Sequence, residues 1–498
     1  MRVFLVDAPH KVWPLMRGWT PNPGLLAIGA YIEKDFEVKV VDGTVLEDSW
    51  GDLEKIMKKE KPKIVGISCI TTCFIYDTIN ACRLIKEVSP RTTIVAGGSH
   101  PALVPEETLR SCKEIDYIVV GEGEITFYEF LKAFEKGEKD FSRIKGLAYL
   151  DGNRFVYTGD RPLIEDLDIL PMNAYHLFDM SNPRYNIASE GRNSLSVTFS
   201  RGCGYRCTFC SETILWRYRW RGKSAKKMVD EFQLLKEKHG RTAFFVGDDM
   251  FNWDRRHTEE FCDEMIKRKV GVNFWIQTRA DFLLRDKDLI PRLKEAGCYQ
   301  IMMGLEHHSQ KVLDAIGKKA LVKESIEAMK LIKKHRISGM ATLMLGHWED
   351  TKENMYDFYR FARPYLHHYG QGVVTPLPGT PFYKEMKRLG RIKVTDYSKY
   401  DYLHAIMPTK TMSPDEITGT LLNLHRKFYL NWRFFWQTIF PEHPMIRPIH
   451  LHFLRYAWDT FRQEAFGAPE WTQPGYQTYE EYLKEKETSN AKRRMQNA

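Results

Sequence analysis

The chain has 498 residues, 43% hydrophobic and 28% charged, a globular composition long enough for two or three domains and incompatible with bulk disorder. Lys and Arg total 74 against 65 Asp and Glu, and a net charge of +9 is too mild over this length to imply a nucleic-acid partner. No stretch approaches the roughly 20 apolar residues of a membrane span, mean hydropathy is −0.44, and Asp7 and Pro9 interrupt the first apolar run too early for a signal peptide, so the expected location is cytoplasmic.

The first part alternates short apolar runs with amphipathic ones. Strands are predicted at Val3–Val6, Val38–Val41, Ile64–Ser68, Thr92–Ala96 and Tyr117–Val120. Helices fall between them, the first over Pro23–Glu33 with Pro in its opening turn. Continuously apolar strands alternating with helices predict a Rossmann-like, doubly wound parallel sheet over residues 1–141, with ligands at the carboxyl ends of its strands. A hairpin around Asp151-Gly152 and a Pro- and Asp-rich connector fill 142–193.

A second alternating series begins at Leu195–Phe199 and continues with strands at Ala243–Val246, Asn273–Gln277, Gln300–Gly304, Gly339–Leu345 and Gly372–Pro376. Helices are expected at Ala225–His239, Arg256–Arg268, Lys287–Ala296, Lys323–His335 and Thr351–Ala362. Six βα units are two short of a closed barrel, which predicts an open (β/α)6 barrel over 194–398. Residues 399–498 read as a helical extension. Ser413-Pro414-Asp415-Glu416 is a capping box that starts a helix, and the tail after Lys484 reads as frayed. The Arg426–Trp436 stretch, rich in aromatic and basic residues, reads first as core of a helical layer and second as a surface for peripheral membrane contact.

Three of the nine cysteines, Cys203, Cys207 and Cys210, crowd into one CxxxCxxC loop just after the first strand of the second series. In a reducing compartment such crowding favours a metal site over disulfides. Three thiolates can hold three irons of a cubane cluster and leave the fourth open to a ligand from outside the protein. A zinc site would need a fourth ligand, and the loop itself has no His, Asp or further Cys. The other cysteines fall in strands and helices and read as buried thiols.

This loop, placed after the first strand of a βα barrel, resembles the radical S-adenosylmethionine superfamily. The resemblance implies a [4Fe-4S] cluster whose open iron binds S-adenosylmethionine, a 5′-deoxyadenosyl radical formed by one-electron cleavage, and a reductant such as flavodoxin or ferredoxin. It also implies S-adenosylmethionine contacts at successive strand ends. These are Gly247, Asp248 and Asp249 after the second strand, Gln277 and Arg279 after the third, Glu306 after the fourth and Leu345 after the fifth. GDD stands here where the superfamily has GGE, which leaves open which carboxylate acts.

The first domain has its own strand-end pattern. Ser68, Thr71 and Thr72 follow the third strand, Gly97 and Gly98 the fourth, and Gly121, Glu122, Gly123 and Glu124 the fifth. Glycines at adjacent strand ends let a large flat ligand approach the backbone. This resembles the cobalamin-binding domain of one radical S-adenosylmethionine subclass. The DxHxxG motif that supplies an axial His in other cobalamin proteins is absent, and His10 and His100 read as loop-packing residues.

From the cluster loop through Leu215–Arg221, Met228–Glu231, Glu259–Val272 and His425–Asn431 the chain is similar to the anaerobic magnesium-protoporphyrin monomethyl ester oxidative cyclase group. The resemblance implies C–H functionalisation of a large apolar small molecule, by oxidative cyclisation of a tetrapyrrole or, alternatively, by cobalamin-dependent methylation. Trp216, Tyr218 and Trp220, just beyond the loop, could equally wall a substrate cavity or pack between domains. No general acid or base is identifiable. A non-catalytic cobalamin or iron–sulfur sensor would not need the ordered strand-end elements. An RNA-modifying enzyme would carry a dense basic module, which this chain lacks.

Overall fold

A computed structural model describes residues 1–11, 20–187, 190–191, 193–467 and 476–496 of the protein. The first sheet contains β1 (Arg2–Asp7), β2 (Glu37–Asp42), β3 (Ile64–Ser68), β4 (Thr93–Gly97), β5 (Tyr117–Val119), β6 (Leu147–Asp151) and β7 (Arg154–Tyr157), in the order β2-β1-β3-β4-β5-β6-β7. The first five strands are parallel, as their apolar runs predict. The hairpin β6–β7 turns at Gly152 (φ 61°) and adds to the sheet as an antiparallel edge, so it is part of the first domain and not of a connector.

The second series supplies β8 (Ser194–Val197), a short antiparallel ribbon of β9 (Ser200–Arg201) and β10 (Arg221–Gly222), then β11 (Ala243–Val246), β12 (Asn273–Thr278), β13 (Cys298–Glu306), β14 (Ser338–Leu345) and β15 (His368–Val373). The six long strands form one parallel sheet, β15-β14-β13-β12-β11-β8, open between its two edge strands. The sixth strand lies four residues before the predicted Gly372–Pro376. It begins in His368, outside any apolar run, and ends before Pro376, which has no N–H to give a ladder. The predicted helix Lys287–Ala296 is shortened to Ile290–Glu295, and a separate short helix, Ala280–Arg285, precedes it.

On the concave face of this sheet Phe245 and Trp275 stack with centroids 3.9 Å apart. The Trp275 indole N–H donates to Glu190, which is buried. Burial pushes the Glu190 carboxyl up to about 7. A carboxyl raised in the fold stabilises the protein least when ionised, so stability should fall as pH rises from about 4.5 to about 7. The full cost is about 3 kcal/mol above that window. Glu190→Gln keeps an acceptor for Trp275. Denaturant melts should find it more stable than wild type at pH 8 by up to that amount, and equal to it near pH 4.

The C-terminal part packs helices Pro414–Tyr429, Trp432–Ile439 and Ile446–Phe466 against the barrel. The capping box is formed: Ser413 Oγ accepts from Glu416 N, and Glu416 accepts from Ser413 N at 2.8 Å. The tail is not frayed. Tyr479–Gln496 is a helix that returns to the first domain. Tyr479 packs at a tilt against the fully buried Trp50, with centroids 4.8 Å apart, Trp50 Nε1 donates to Gln477 O at 2.8 Å, and Lys486 pairs with Glu54 at 3.1 Å.

Candidate functional site

The carboxyl ends of β1, β3, β4 and β5 face the start of the barrel across a cavity of about 500 Å3. Its first wall carries Ser68, Gly97, Gly98 and the run Gly121–Glu124. Its second carries Phe199, Arg201, Glu212, Trp216, Gly247 and Asp249. Its rim is the start of helix Pro23–Ile32. There Asn22 caps Gly24 and Leu25 and donates to Asp7 at 3.0 Å. The strand-end residues assigned to cobalamin, Thr71 and Thr72 excepted, thus border one space with Gly247 and Asp249, whereas Asp248, Gln277, Arg279, Glu306 and Leu345 lie off its wall.

The glycines suit a flat ligand. An added Cβ on Gly121 would meet nothing within 4 Å, and one on Gly97 only Val119 at 4.0 Å, so both positions open onto the cavity. Gly98 has φ 97°, and a Cβ there would sit 2.3 Å from Cys69 O. Thr71 and Thr72 lie outside the cavity wall, since Thr72 Oγ1 is 3.2 Å from His100 Nδ1. His10 is buried and stacked on Phe74 at 3.9 Å, and no described residue of the wall is a histidine.

Glu122 and Glu124 border the cavity but are spent on the other domain. Glu122 Oε1 accepts from Arg201 at 2.6 Å and from Arg221 at 2.9 Å, and Oε2 accepts from Ile164 N at 2.7 Å. Glu124 pairs with Arg201. Burial raises the Glu124 carboxyl, but the Arg201 charge beside it outweighs this and holds it below the usual carboxylate range. These ion pairs join the β5 end to the β9–β10 ribbon, an arrangement that GEGE and SRGC could not announce separately.

The loop from Phe199 to Cys210 is fastened by bonds that do not involve its thiols. Asp248 Oδ1 accepts from Phe199 N at 2.6 Å, and Asp249 Oδ2 from Gly202 N at 3.1 Å. Gly202 has φ 86°, and a Cβ there would lie 2.2 Å from Arg219 O. Thr208 N donates to Ile316 O at 3.0 Å. Tyr205 lies under the Arg279 guanidinium at 3.6 Å and donates to Asp281 at 2.9 Å.

These contacts separate the predicted S-adenosylmethionine residues. Asp248 is buried and serves the loop backbone, whereas Asp249 holds the Gly202 amide with one oxygen and also borders the cavity. Burial and the neighbouring Glu212 and Asp248 push the Asp249 carboxyl well above the ordinary range. Arg279 is buried, bonding the carbonyls of Lys318 and Lys319 at 2.9 Å and the Asp281 carboxylate at 3.0 Å, so it supports the loop. Glu306 has a left-handed backbone (φ 62°) at a register shift ending β13, and its carboxylate pairs with Lys318 at 2.7 Å. Gln277 is half-buried at the β12 end, and Leu345 is fully buried in the core.

Cys203, Cys207 and Cys210 are unpaired in disulfides, and the first and third are partly exposed. Burial pushes all three thiols up, while the Arg279 and Lys318 cations oppose this at Cys203 and Cys207. Among the described residues no three His, Cys, Asp or Glu side chains converge on one point as a single-ion site requires. A cubane takes each thiolate on a different iron, so the spread of these thiols around one loop, with two cations nearby, fits an anionic cluster. Of the aromatics beyond the loop, Trp216 borders the cavity and donates to Glu212 at 3.1 Å. Trp220 donates to Met250 O and packs on His257, and Tyr218 packs under Arg206. Sequence reasoning gave Arg201, Arg221 and Glu212 no role. Their partners and neighbours come from distant strand ends, and only their position beside the cysteine loop pointed to them.

A doubly wound domain facing an open βα barrel with a three-cysteine loop after its first strand defines a radical S-adenosylmethionine enzyme that carries a second, strand-end cofactor site. Residues 16–131 match the B12 binding domain and residues 197–362 the radical SAM superfamily. An uncharacterized methyltransferase of Pyrococcus horikoshii is 28% identical over 90% of this chain and 96% of its own. The anaerobic magnesium-protoporphyrin IX monomethyl ester cyclase of Rubrivivax gelatinosus is 31% identical over 82% of this chain and 73% of its own. The radical S-adenosylmethionine methyltransferase TsrM of Kitasatospora setae has the same fold, with a TM-score of 0.65 at 20% identity over 79% of this chain and 76% of its own. The chain belongs to the cobalamin-dependent radical S-adenosylmethionine enzymes, and its cofactors are cobalamin, a [4Fe-4S] cluster and S-adenosylmethionine.

Proposed function

We propose that the protein functionalises an unactivated C–H bond of a large apolar small molecule, by anaerobic oxidative cyclisation of a tetrapyrrole of the magnesium-protoporphyrin monomethyl ester type. The observation that carries the reading is the single cavity bordered by both cofactor domains, in a chain 31% identical to such a cyclase. When bound, the cluster and S-adenosylmethionine supply one-electron reductive cleavage of a carbon–sulfur bond, and cobalamin supplies a reactive cobalt centre.

The chain's own residues then have distinct tasks. Cys203, Cys207 and Cys210 hold the cluster, and Arg279 and Lys318 offset its negative charge. Asp249, beside Gly247 on the cavity wall, accepts hydrogen bonds from the amino group of S-adenosylmethionine. Gln277, Glu306 and the strand end at Leu345 complete that subsite, with Lys318 neutralising Glu306. Ser68, Gly97, Gly98 and the backbone of Gly121–Glu124 cradle the corrin, and Trp216 excludes water from the gap. The electron comes from a small reductant such as flavodoxin or ferredoxin.

Two variants divide these roles. Asp249→Asn should lower deoxyadenosine formation by about 10-fold or more with the iron content unchanged, because an amide, unlike the carboxyl, cannot ionise to become a charge-assisted acceptor for the cationic amino group. Asp248→Ala should instead destabilise the protein by about 1–3 kcal/mol, because it strands the buried Phe199 amide. Equal iron, stability and turnover in both variants would remove these residues from the site. Gly97→Leu projects a side chain into the cavity without a left-handed backbone. It should cut cobalamin per chain by about 10-fold while the cluster still loads; undiminished loading would move the corrin elsewhere.

A second reading, methyl transfer, is favoured by the near full-length match to a methyltransferase. Product stoichiometry separates the two. Cyclisation should yield deoxyadenosine without matching S-adenosylhomocysteine, and in a hydrating cyclase oxygen from heavy-oxygen water should enter the product. Equal amounts of both nucleosides with a methyl-sized mass gain would replace cyclisation by methylation.

A further inference from the structure

The helix Trp432–Ile439 presents an apolar face on each side. Its inner face is Phe434, packed 4.1 Å from the His450 ring, and Thr438, both buried. Its outer face should be polar if it met only water. Instead Trp432 is 72% exposed, Trp436 52% and Phe440 60%, with Phe435 and Ile439 beside them. The rings touch one another along the helix, Trp432 to Trp436 at 6.1 Å and Trp436 to Phe440 at 4.6 Å.

This plate is held rigidly. Asn431 caps the helix by accepting from Phe434 N at 3.0 Å, and Arg363 in turn donates to Asn431 at 2.6 Å. Arg447 donates to Ile439 O at 2.9 Å and closes the other end. The surrounding charge is mainly positive, and Glu442, just beyond Phe440, lies 3.6 Å from His367. The helix contains Arg433 and no acid, and Lys427 is exposed one turn before the plate. Among the described residues none of Lys427, Arg433 and Arg447 forms an ion pair with a carboxylate.

We propose that this aromatic plate and its cations dock the protein onto a bilayer surface bearing anionic headgroups. Trp and Arg are the side chains that settle at the headgroup level, rings toward the acyl chains and cations toward phosphate. Among the described residues no helix is long and apolar enough to cross a membrane, so the contact is peripheral. Charge also decides between occupants. A second copy meeting this face would bring Lys427, Arg433 and Arg447 against their own like, whereas anionic lipid neutralises them. The inference is independent of which reaction the cavity performs.

The test uses full-length holoprotein, kept anaerobic, with vesicles of phosphatidylcholine alone or mixed with phosphatidylglycerol. Sedimentation should carry the protein down with the mixed vesicles and far less with phosphatidylcholine. Its tryptophan emission should shift to the blue, and added salt should weaken the binding without abolishing it. The variant Trp432→Ser/Trp436→Ser/Phe440→Ser should lose about 10-fold or more of the vesicle affinity. If its unfolding midpoint drops, Trp432→Ser alone, at the most exposed ring, carries the comparison. Three results would each overturn the proposal: no sedimentation with mixed vesicles, affinity undiminished in the variants, or light scattering showing a dimer that the variants dissolve in protein that ignores vesicles.

Discussion

The variant Cys203→Ala/Cys207→Ala/Cys210→Ala should fall from about four irons per chain to background and lose all reductive cleavage of S-adenosylmethionine. The expectation is sharp because the loop does not depend on its thiols for its shape. Asp248 and Asp249 hold the amides of Phe199 and Gly202, Ile316 O holds Thr208, and Arg279 stacks on Tyr205. The apo variant should therefore keep the circular dichroism and unfolding midpoint of the wild-type apoprotein. Loss of iron with the fold intact is the predicted result. A full cubane signal in the variant would mean that other residues bind the cluster.

The second large effect concerns the joint between the domains. Glu122→Ala removes the shared acceptor of Arg201, Arg221 and the Ile164 amide, all at least half-enclosed by protein and two of them fully buried. Leaving buried cations without their partner typically costs about 3–5 kcal/mol. Urea melts should show a loss of that size, with cobalamin release at lower denaturant than in wild type, since the cradle and the cluster loop are pulled together through this pair. The same joint has a pH signature. Glu124 is held below the ordinary carboxylate range, so its stabilising pairing is fully present above that range and is lost as pH falls through its lowered value. Wild type should lose stability on acidification in that window, and Glu124→Gln should lose less. A Glu122→Ala protein as stable as wild type would mean that the domains are joined by packing alone.

Much of the architecture was legible because it rests on local pattern. Parallel strands buried on both faces must be apolar throughout, and nearly every such run became a strand. The cysteine loop was legible because its three thiols fall within eight consecutive residues. What stayed hidden depends on partners far along the chain. Asp248 and Asp249 are adjacent and chemically alike, yet Asp248 is buried against the Phe199 amide while Asp249, bonded to the Gly202 amide, also borders the cavity. The carboxylates of Glu122 and Glu124 fit a ligand cradle on their own strand end, and the arginines that occupy them stand 79 and 99 residues further on. The tail looked unstructured because its apolar partner, Trp50, is 427 residues from the carbonyl that it binds. Leu345 lies at a strand end, but its side chain belongs to the core, so any contact with a ligand runs through backbone.

The central claim is that cobalamin lies in the cavity between the two domains, close to the cysteine loop whose neighbours Phe199, Arg201 and Glu212 form the facing wall. The direct measurement is the electron paramagnetic resonance spectrum of protein-bound cob(II)alamin, recorded first with the cluster oxidised and diamagnetic and then with the cluster reduced. A corrin in this cavity of about 500 Å3 and a cluster on the adjoining cysteine loop are close enough to interact, so the cobalt signal should broaden and relax faster when the cluster is reduced, and should recover when Cys203, Cys207 and Cys210 are replaced. A cob(II)alamin signal indifferent to the state of the cluster, or protein that takes up no cobalamin at all, would contradict the account.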